Sequence, residues 1–256
     1  MTVTRVSVPV ATRAPTGQTN AYVIGEDAAV LVDPGAVAEP LDAVVDDRSI
    51  AHVVVTHTHP DHVGGLDTYA ARTDATVWAR AGRTDRFVAA TGVTPDATYS
   101  EGTVVPGEPG VTVLDLPGHA GDHVGFVTDG ATLVGDAAVA TGSVFVGAED
   151  GDMRAYYTTL RRLIARDDDV VYPGHGDPIT APRRRLTELL AHRRDRERRV
   201  ETAVREGART ADAIVAAAYD KDLTGVEDLA RETVVAHLRK LDREGRVSWD
   251  GTTATP

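Results

Sequence analysis

Thr56-His57-Thr58-His59-Pro60-Asp61-His62-Val63-Gly64-Gly65 follows directly on the apolar run Ala51-His52-Val53-Val54-Val55. Three histidines and a carboxylate fall within residues 57–62. Neutral imidazole and ionised carboxylate are the groups that a borderline cation such as zinc takes. A loop at the end of a strand can converge them where one regular element cannot. In isolation the stretch reads as a polar loop with solvated histidines. The rest of the chain decides against that by supplying further ligands at other strand ends.

The first of these is His119, where the apolar run Val111-Thr112-Val113-Leu114-Asp115-Leu116 ends in Pro117-Gly118-His119. The second is Asp136, closing Ala131-Thr132-Leu133-Val134-Gly135-Asp136. The third is His175, again behind a strand and a Pro-Gly pair in Asp169-Val170-Val171-Tyr172-Pro173-Gly174-His175-Gly176. Alone, each histidine is an ordinary turn residue and the aspartate a helix cap. With the first cluster they complete two metal sites.

The set His57, His59, Asp61, His62, His119, Asp136 and His175 resembles the His-x-His-x-Asp-His pattern of the metallo-beta-lactamase superfamily, with its distant His, Asp and His. The resemblance implies an α/β (α+β) fold, a four-layer αββα sandwich of two mixed sheets with helices outside and the metals at one edge. It implies two zinc ions. His57, His59 and His119 hold one, Asp61, His62 and His175 the other, and Asp136 bridges them. Thr19-Asn20-Ala21-Tyr22-Val23-Ile24-Gly25 and Ala29-Val30-Leu31-Val32-Asp33-Pro34-Gly35 look like the family's first hairpin, with Asp33 steadying the histidine loop. The chain has no cysteine. The three-histidine first site with its bridging aspartate is therefore the hydrolase version, not a thiolate-containing beta-lactamase site. A dinuclear hydrolase of this kind attacks with a metal-bridging hydroxide, its ions about 3.5 to 4 Å apart. Asp61 and Asp136 are its expected catalytic carboxylates. His123 is a candidate proton donor to the leaving group, or a support for its loop. Thr19, Asn20 and Tyr22, with the segment Thr141-Gly142-Ser143-Val144-Phe145-Val146, are expected at the substrate rim.

A length of 256 residues allows one large or two unequal domains, and 42% hydrophobic content supplies a substantial core. No stretch approaches the roughly 20 apolar residues of a membrane span, and Met1 to Val8 alternates like an edge strand rather than a leader. The expectation is a cytoplasmic protein. Acidic residues outnumber basic ones 39 to 27, and only Lys221 and Lys240 are lysine. That balance reads either as adaptation to high salt (a halophilic protein) or as a GC-rich genome. The net charge of -12 opposes nonspecific nucleic-acid binding at low salt.

Against this background, Arg183 to Arg209 carries ten arginines and five carboxylates. Leu186, Leu189, Leu190, Val200 and Val204 fall near helical spacing, which predicts a helix with an arginine-rich face. Either it is a solvated helix laced by pairs such as Glu197 with Arg193 and Glu201 with Arg205, or it is a phosphate-contacting surface. Beyond Gly207, Thr210 can cap a helix from Ala211, and Val226 to Glu244 predicts another, closing at Gly245. Arg246 to Gly251 reads as one strand of a wing, and His237 as a surface residue.

Lactamase-type core, a helix carrying His192-Arg193 and a winged-helix-like tail together resemble the beta-lactamase-like protein 2 group, nearly end to end. The domains expected are 1–182 (catalytic), 183–208 (arginine-rich connecting helix) and 209–256 (winged-helix-like). The group includes a zinc-dependent endoribonuclease, so the resemblance implies hydrolysis of single-stranded RNA. The acidic charge departs from that, and Pro60 stiffens the metal loop. The alternative is a thioester or lactone hydrolase of the glyoxalase II type, its tail serving homodimer formation or lid packing. A third reading is a DNA-binding regulator with a vestigial metal site. The partners expected are a small-molecule or single-stranded RNA substrate, with no membrane.

Overall fold

The computed structural model describes residues 3–256. Chain contacts divide them into two units. The first comprises the chain to Leu116 with Asp122–Gly142 and Asp168–Pro182; the second comprises Pro117–Gly121, Ser143–Asp167 and Arg183–Pro256.

In the first unit β1 (Val3–Pro9), β2 (Gln18–Ile24), β3 (Ala29–Val32), β4 (Ile50–Val54), β5 (Thr76–Arg80) and β6 (Ala97–Tyr99) form a six-stranded sheet in chain order. β1 to β3 pair antiparallel; β3 to β6 pair parallel. β1 is the edge, and its alternation buries Val6 and Val8 while Arg5 stays exposed. Met1 and Thr2, where the expected edge strand began, lie outside the described residues. All four residues of β3 are buried, as for a strand covered on both faces. The crossovers between parallel strands carry α1 (Glu39–Asp46), then α2 (Pro60–Val63) and α3 (Leu66–Thr73), then α4 (Thr84–Thr91). Leu41, Val45, Leu66, Tyr69 and Phe87 from these helices pack with Val23, Leu31 and Val53 of the sheet.

The second sheet runs β11 (Val170–Pro173), β10 (Ala131–Gly135), β9 (Val124–Thr128), β8 (Val111–Asp115), β7 (Val104–Val105). It is antiparallel except for β10 with β11. Ile24, Val32 and Val54 of the first sheet share one core with Val113, Phe126 and Leu133 of the second, so the sheets are face to face. Tyr99 meets Phe126 edge-on there at 5.9 Å. The strand ends are stitched together by backbone bonds: Val124 donates to Thr56 at 2.8 Å, Asn20 to Gly174 at 2.7 Å and Gly174 to Gly135 at 2.8 Å. The residues following β3, β4, β10 and β11 therefore converge.

The second unit holds α5 (Met153–Arg166), α6 (Pro182–Arg205), α7 (Ala211–Ala218), α8 (Glu227–Arg243) and the small ribbon of β12 (Ser248–Trp249) with β13 (Ala254–Thr255). Asp152 caps α5 through the Arg154 and Ala155 amides, and Thr210 caps α7 through Ala213, as its position predicts. The two-stranded wing completes the tail expected from Arg246 onward.

The arginine-rich helix is α6, and many of its charges are paired within the unit. Arg205 bonds Glu201 at 2.5 Å, Arg198 bonds Asp195 at 2.9 Å, and Arg199 bonds Asp220 at 3.0 Å. The expected Arg193–Glu197 pair is replaced: Arg193 is buried and donates to the Val144 carbonyl, while Glu197 takes Lys240 at 2.9 Å and Arg246 at 2.9 Å. Arg196 is buried too, donating to Ala218 O and lying 3.4 Å from the Tyr219 ring centroid. The surface reading of His237 is corrected: it is fully buried on α8, beside Val234 and Leu238 on the packed face. Burial holds it down at about 4, against the pull of Glu197.

Candidate metal centre

His57, His59, Asp61, His62, Asp136 and His175 gather at the converging strand ends of the first unit. His57, His62 and Asp136 can offer ligand atoms that all lie within 4.8 Å of one another, as can Asp61, His62 and His175. His57 Nε2 and His59 Nδ1 are 3.0 Å apart. Asp136 reaches both sides of the cluster, with Oδ1 3.6 Å from His62 Nε2 and Oδ2 3.4 Å from His175 Nε2. Asp61 Oδ2 lies 3.4 Å from the same His175 nitrogen.

The outer nitrogens fix the histidine tautomers. His175 Nδ1 is 2.7 Å from the Gln18 carbonyl, and a carbonyl only accepts, so this nitrogen carries the proton and Nε2 presents a lone pair. His62 Nδ1 donates in the same way to Asp33 Oδ2 at 2.9 Å. Its Nε2 is buried with no hydrogen-bond partner among the described residues, aimed at Asp136. Thr56 Oγ1 donates its one proton to Asp33 Oδ2 at 2.6 Å, so it accepts from His57 Nδ1 at 3.0 Å. Asp33 thus sets two rings, one directly and one through a hydroxyl. Inward imidazole lone pairs beside the Asp61 and Asp136 carboxylates fit a divalent cation pair in donor chemistry.

Burial pushes the Asp61 carboxyl up, but the His175 bond, the His62 ring and the Thr12 hydroxyl outweigh it and hold the group at about 2. Burial pushes His175 down; the Asp136 and Asp61 carboxylates prevail and raise it to about 10, so without a cation Nε2 also holds a proton, which a bound metal ion would displace. His62 is also raised, by Asp136 and Asp33 against burial. Gly174 leaves the room for this crowding. A Cβ there would come within 2.6 Å of Asp136 Oδ1 and 2.7 Å of His62 Cε1.

His119 lies in the Pro117–Gly121 segment of the second unit, buried, with Nδ1 donating to Phe145 O at 2.7 Å. It presents the same tautomer as His62 and His175. His123 is fully buried; its Nε2 accepts the Asp136 amide at 3.1 Å and its ring lies 4.8 Å from that of His57. It supports the loop and is not placed as a proton donor.

The expected rim residues are elsewhere in purpose. Thr19, Asn20 and Tyr22 are buried rather than exposed to a substrate. Asn20 Nδ2 donates to Pro173 O at 3.0 Å and Gly176 O at 2.8 Å, and Tyr22 OH donates to Pro173 O at 2.6 Å. Strand β2 runs beside the His175 turn, and these polar groups are needed to satisfy its carbonyls. Thr141, Gly142, Ser143 and Phe145 are exposed. Two contributors gave no sequence signal: Thr12, whose hydroxyl donates to Asp61 Oδ2 at 2.6 Å, and Asp122, which holds Thr58.

A face-to-face sheet sandwich with this cluster at its strand ends defines a metal-dependent hydrolase. Residues 14–175 match the model of the metallo-beta-lactamase superfamily, and the chain belongs to that superfamily. Residues 210–254 match the beta-lactamase associated winged helix domain. The probable metallo-hydrolase YqjP of Bacillus subtilis is 28% identical over 95% of this chain and 96% of its own. A beta-lactamase-like protein 2 homolog of Drosophila melanogaster is 27% identical, covering 90% and 84%. The hydroxyacylglutathione hydrolase of Methylococcus capsulatus is 34% identical over 75% of each chain. Among solved structures, a metallo-beta-lactamase family protein of Thermus thermophilus superposes with a TM-score of 0.79 over 99% of this chain and 98% of that one, at 22% identity.

Proposed function

We propose that this hydrolase holds two zinc ions and cleaves small acyl thioesters. The observation that carries the reading is the tautomer lock: each of His57, His62 and His175 has its outer proton tied to oxygen, leaving an inward lone pair beside Asp61 or Asp136. When bound, a zinc pair supplies a water of lowered pKa and positive charge for the oxygens of the reacting carbonyl.

The protein's own groups do the rest. Asp136, with one oxygen toward His62 and the other toward His175, is the carboxylate that can serve both ions. In the family pattern His57 and His59 would hold the first ion, and Asp61, His62 and His175 would hold the second. Asp61, ionised down to about 2, accepts hydrogen bonds and so orients the attacking water toward the carbonyl carbon. Thr12 fixes the Asp61 rotamer from the other side.

A thioester substrate is supported by the relative named as a hydroxyacylglutathione hydrolase. The net charge of -12 and the paired arginines of α6 weigh against a polyanion. Single-stranded RNA is the second reading, supported by the likeness to a beta-lactamase-like protein 2 homolog along nearly the whole chain. Among the described residues no helix is long and apolar enough to cross a membrane.

The test is metal analysis of the purified protein together with turnover of an acyl-glutathione thioester and of a labelled single-stranded RNA, with Asp136→Ala as control. Two zinc ions per chain and thioester turnover lost in the variant are expected. RNA cleavage without thioester turnover overturns the substrate assignment, and iron in place of zinc overturns the metal. Full metal content and activity in the variant overturns the site.

A further inference from the structure

Asp122 is buried, far in sequence from the histidine loop, and yet bonded into it. Its Oδ2 accepts the Thr58 amide at 3.2 Å and the Thr58 hydroxyl at 2.6 Å. Thr58 stands between His57 and His59, and both its backbone and its side chain end on this one carboxylate oxygen. Arg86 of α4 closes the arrangement. Its Nε donates to Thr58 Oγ1 at 2.7 Å and sits 3.3 Å from Asp122 Oδ2. The guanidinium balances a carboxylate that is only 3% exposed. Arg86 is itself 34% exposed, so the pair is buried on the Asp122 side alone.

The geometry has a counterpart at the start of the loop. Asp33 accepts the Thr56 amide at 2.6 Å and the Thr56 hydroxyl at 2.6 Å. Thr56 and Thr58 flank His57, so the loop is suspended between two buried aspartates that arrive from different sheets. They differ in what else they touch. Asp33 also bonds His62. Asp122 acts on the loop through Thr58 instead of through a ring of the cluster.

We infer that Asp122, with Arg86, is a positioning residue for the His57–His59 arm of the metal centre. The inference rests on the dinuclear reading above. Asp122 pins the peptide between the two histidines, which fixes where both rings leave the backbone. Its loss frees that arm while the Asp33–His62 side keeps its own anchor. Partners of this outer kind are worth roughly 10- to 100-fold in metal affinity.

The experiment is titration of the metal-free protein with 113Cd2+, followed by NMR, on the wild type, Asp122→Ala, Asp122→Asn, Thr58→Val and, as a reference for assignment, His57→Ala. Wild type should give two resonances. Asp122→Ala should weaken about 10- to 100-fold the site whose resonance His57→Ala abolishes, and leave the other within about threefold. Thr58→Val, which keeps the carboxylate and loses one of its donors, should show the same selective loss to a smaller degree. Asp122→Asn keeps an acceptor for the Thr58 amide and should restore most of the affinity. If Asp122→Ala fails to fold, Thr58→Val carries the test. Equal loss at both sites, or two unchanged sites in Asp122→Ala and Thr58→Val, overturns the positioning role alone. Fewer than two resonances in the wild type overturns the dinuclear reading beneath it.

Discussion

Asp33 Oδ2 lies 2.9 Å from His62 Nδ1, with the two side chains 2% and 0% exposed. Asp33 holds this position from a left-handed backbone (φ +50°) that only Gly, Asn and Asp adopt with ease. Replacing it by Ala removes the acceptor that directs the His62 proton outward and strands the Thr56 amide. Asp33→Ala should therefore lower metal affinity about 10- to 100-fold, and Asp33→Asn less, because the amide oxygen still accepts one bond. Chelator-competition titrations check this; equal affinity in all three proteins contradicts the clamp.

Gly174 sits against the Asp136 carboxylate with no volume to spare. A methyl group there meets Asp136 Oδ1 at 2.6 Å and His62 Cε1 at 2.7 Å, and neither can yield without moving the cluster. Gly174→Ala should abolish binding of at least one metal ion and cost about 1–3 kcal/mol of stability from overpacking. Metal analysis and urea unfolding of the variant measure the two effects separately. A fully loaded, equally stable Gly174→Ala protein would show that the turn relaxes.

What could be read in advance and what could not divides along a physical line. The histidine loop, His119, Asp136 and His175 were legible because ligand chemistry demands fixed residue types beside strand ends and Pro-Gly turns. Asp33 was legible only through the likeness of the first hairpin to that of the superfamily. Asp122 and Thr12 were not, since each matters through partners far along the chain, 64 residues in the case of Asp122 and Thr58. The i,i+4 spacing of Arg193 and Glu197 offers a pair, but both side chains are buried, and burial gave each a better partner elsewhere. His237 shows the same limit. Its helix face follows from the spacing of Val234, Leu238 and Leu241, but whether a histidine on that face points inward depends on the helices packed around it.

Glu197 anchors the second unit's ionic core. It is 7% exposed and takes Lys240, itself 6% exposed, at 2.9 Å and Arg246 at 2.9 Å. Burial pushes its carboxyl up, but His237, Lys240 and their charges hold it at about 2. Glu197→Ala leaves the buried Lys240 ammonium with Glu244 at 2.9 Å and the face of the Tyr157 ring. The expected cost is about 3–5 kcal/mol, the range for removing one partner of a buried pair. Urea unfolding at neutral pH checks it, and a loss under about 1 kcal/mol would mean that Glu244 suffices.

His237 gives the same core a dependence on pH whose direction can be worked out. Burial, with Arg193 and Lys240 adding to it against Glu197, lowers its pKa from 6.5 to about 4. Between those two values the unfolded chain binds the proton and the folded one does not. Acidification through that window therefore favours unfolding, by up to about 3 kcal/mol at its lower end, whereas above 6.5 the contribution is complete. Glu197 loses its own contribution only below its unfolded value of 4.5. From pH 6.5 to 4.5 Glu197 therefore contributes no change, and comparison with a variant at position 237 cancels the other histidines. His237→Leu keeps Glu197 bonded to Lys240 and Arg246 and removes the titrating ring. Urea unfolding at pH 7, 6 and 5 should show the wild type losing stability relative to the variant as pH falls. Parallel curves for the two proteins would mean that the buried ring takes its proton without penalty, through the Glu197 carboxylate 3.6 Å from Nδ1.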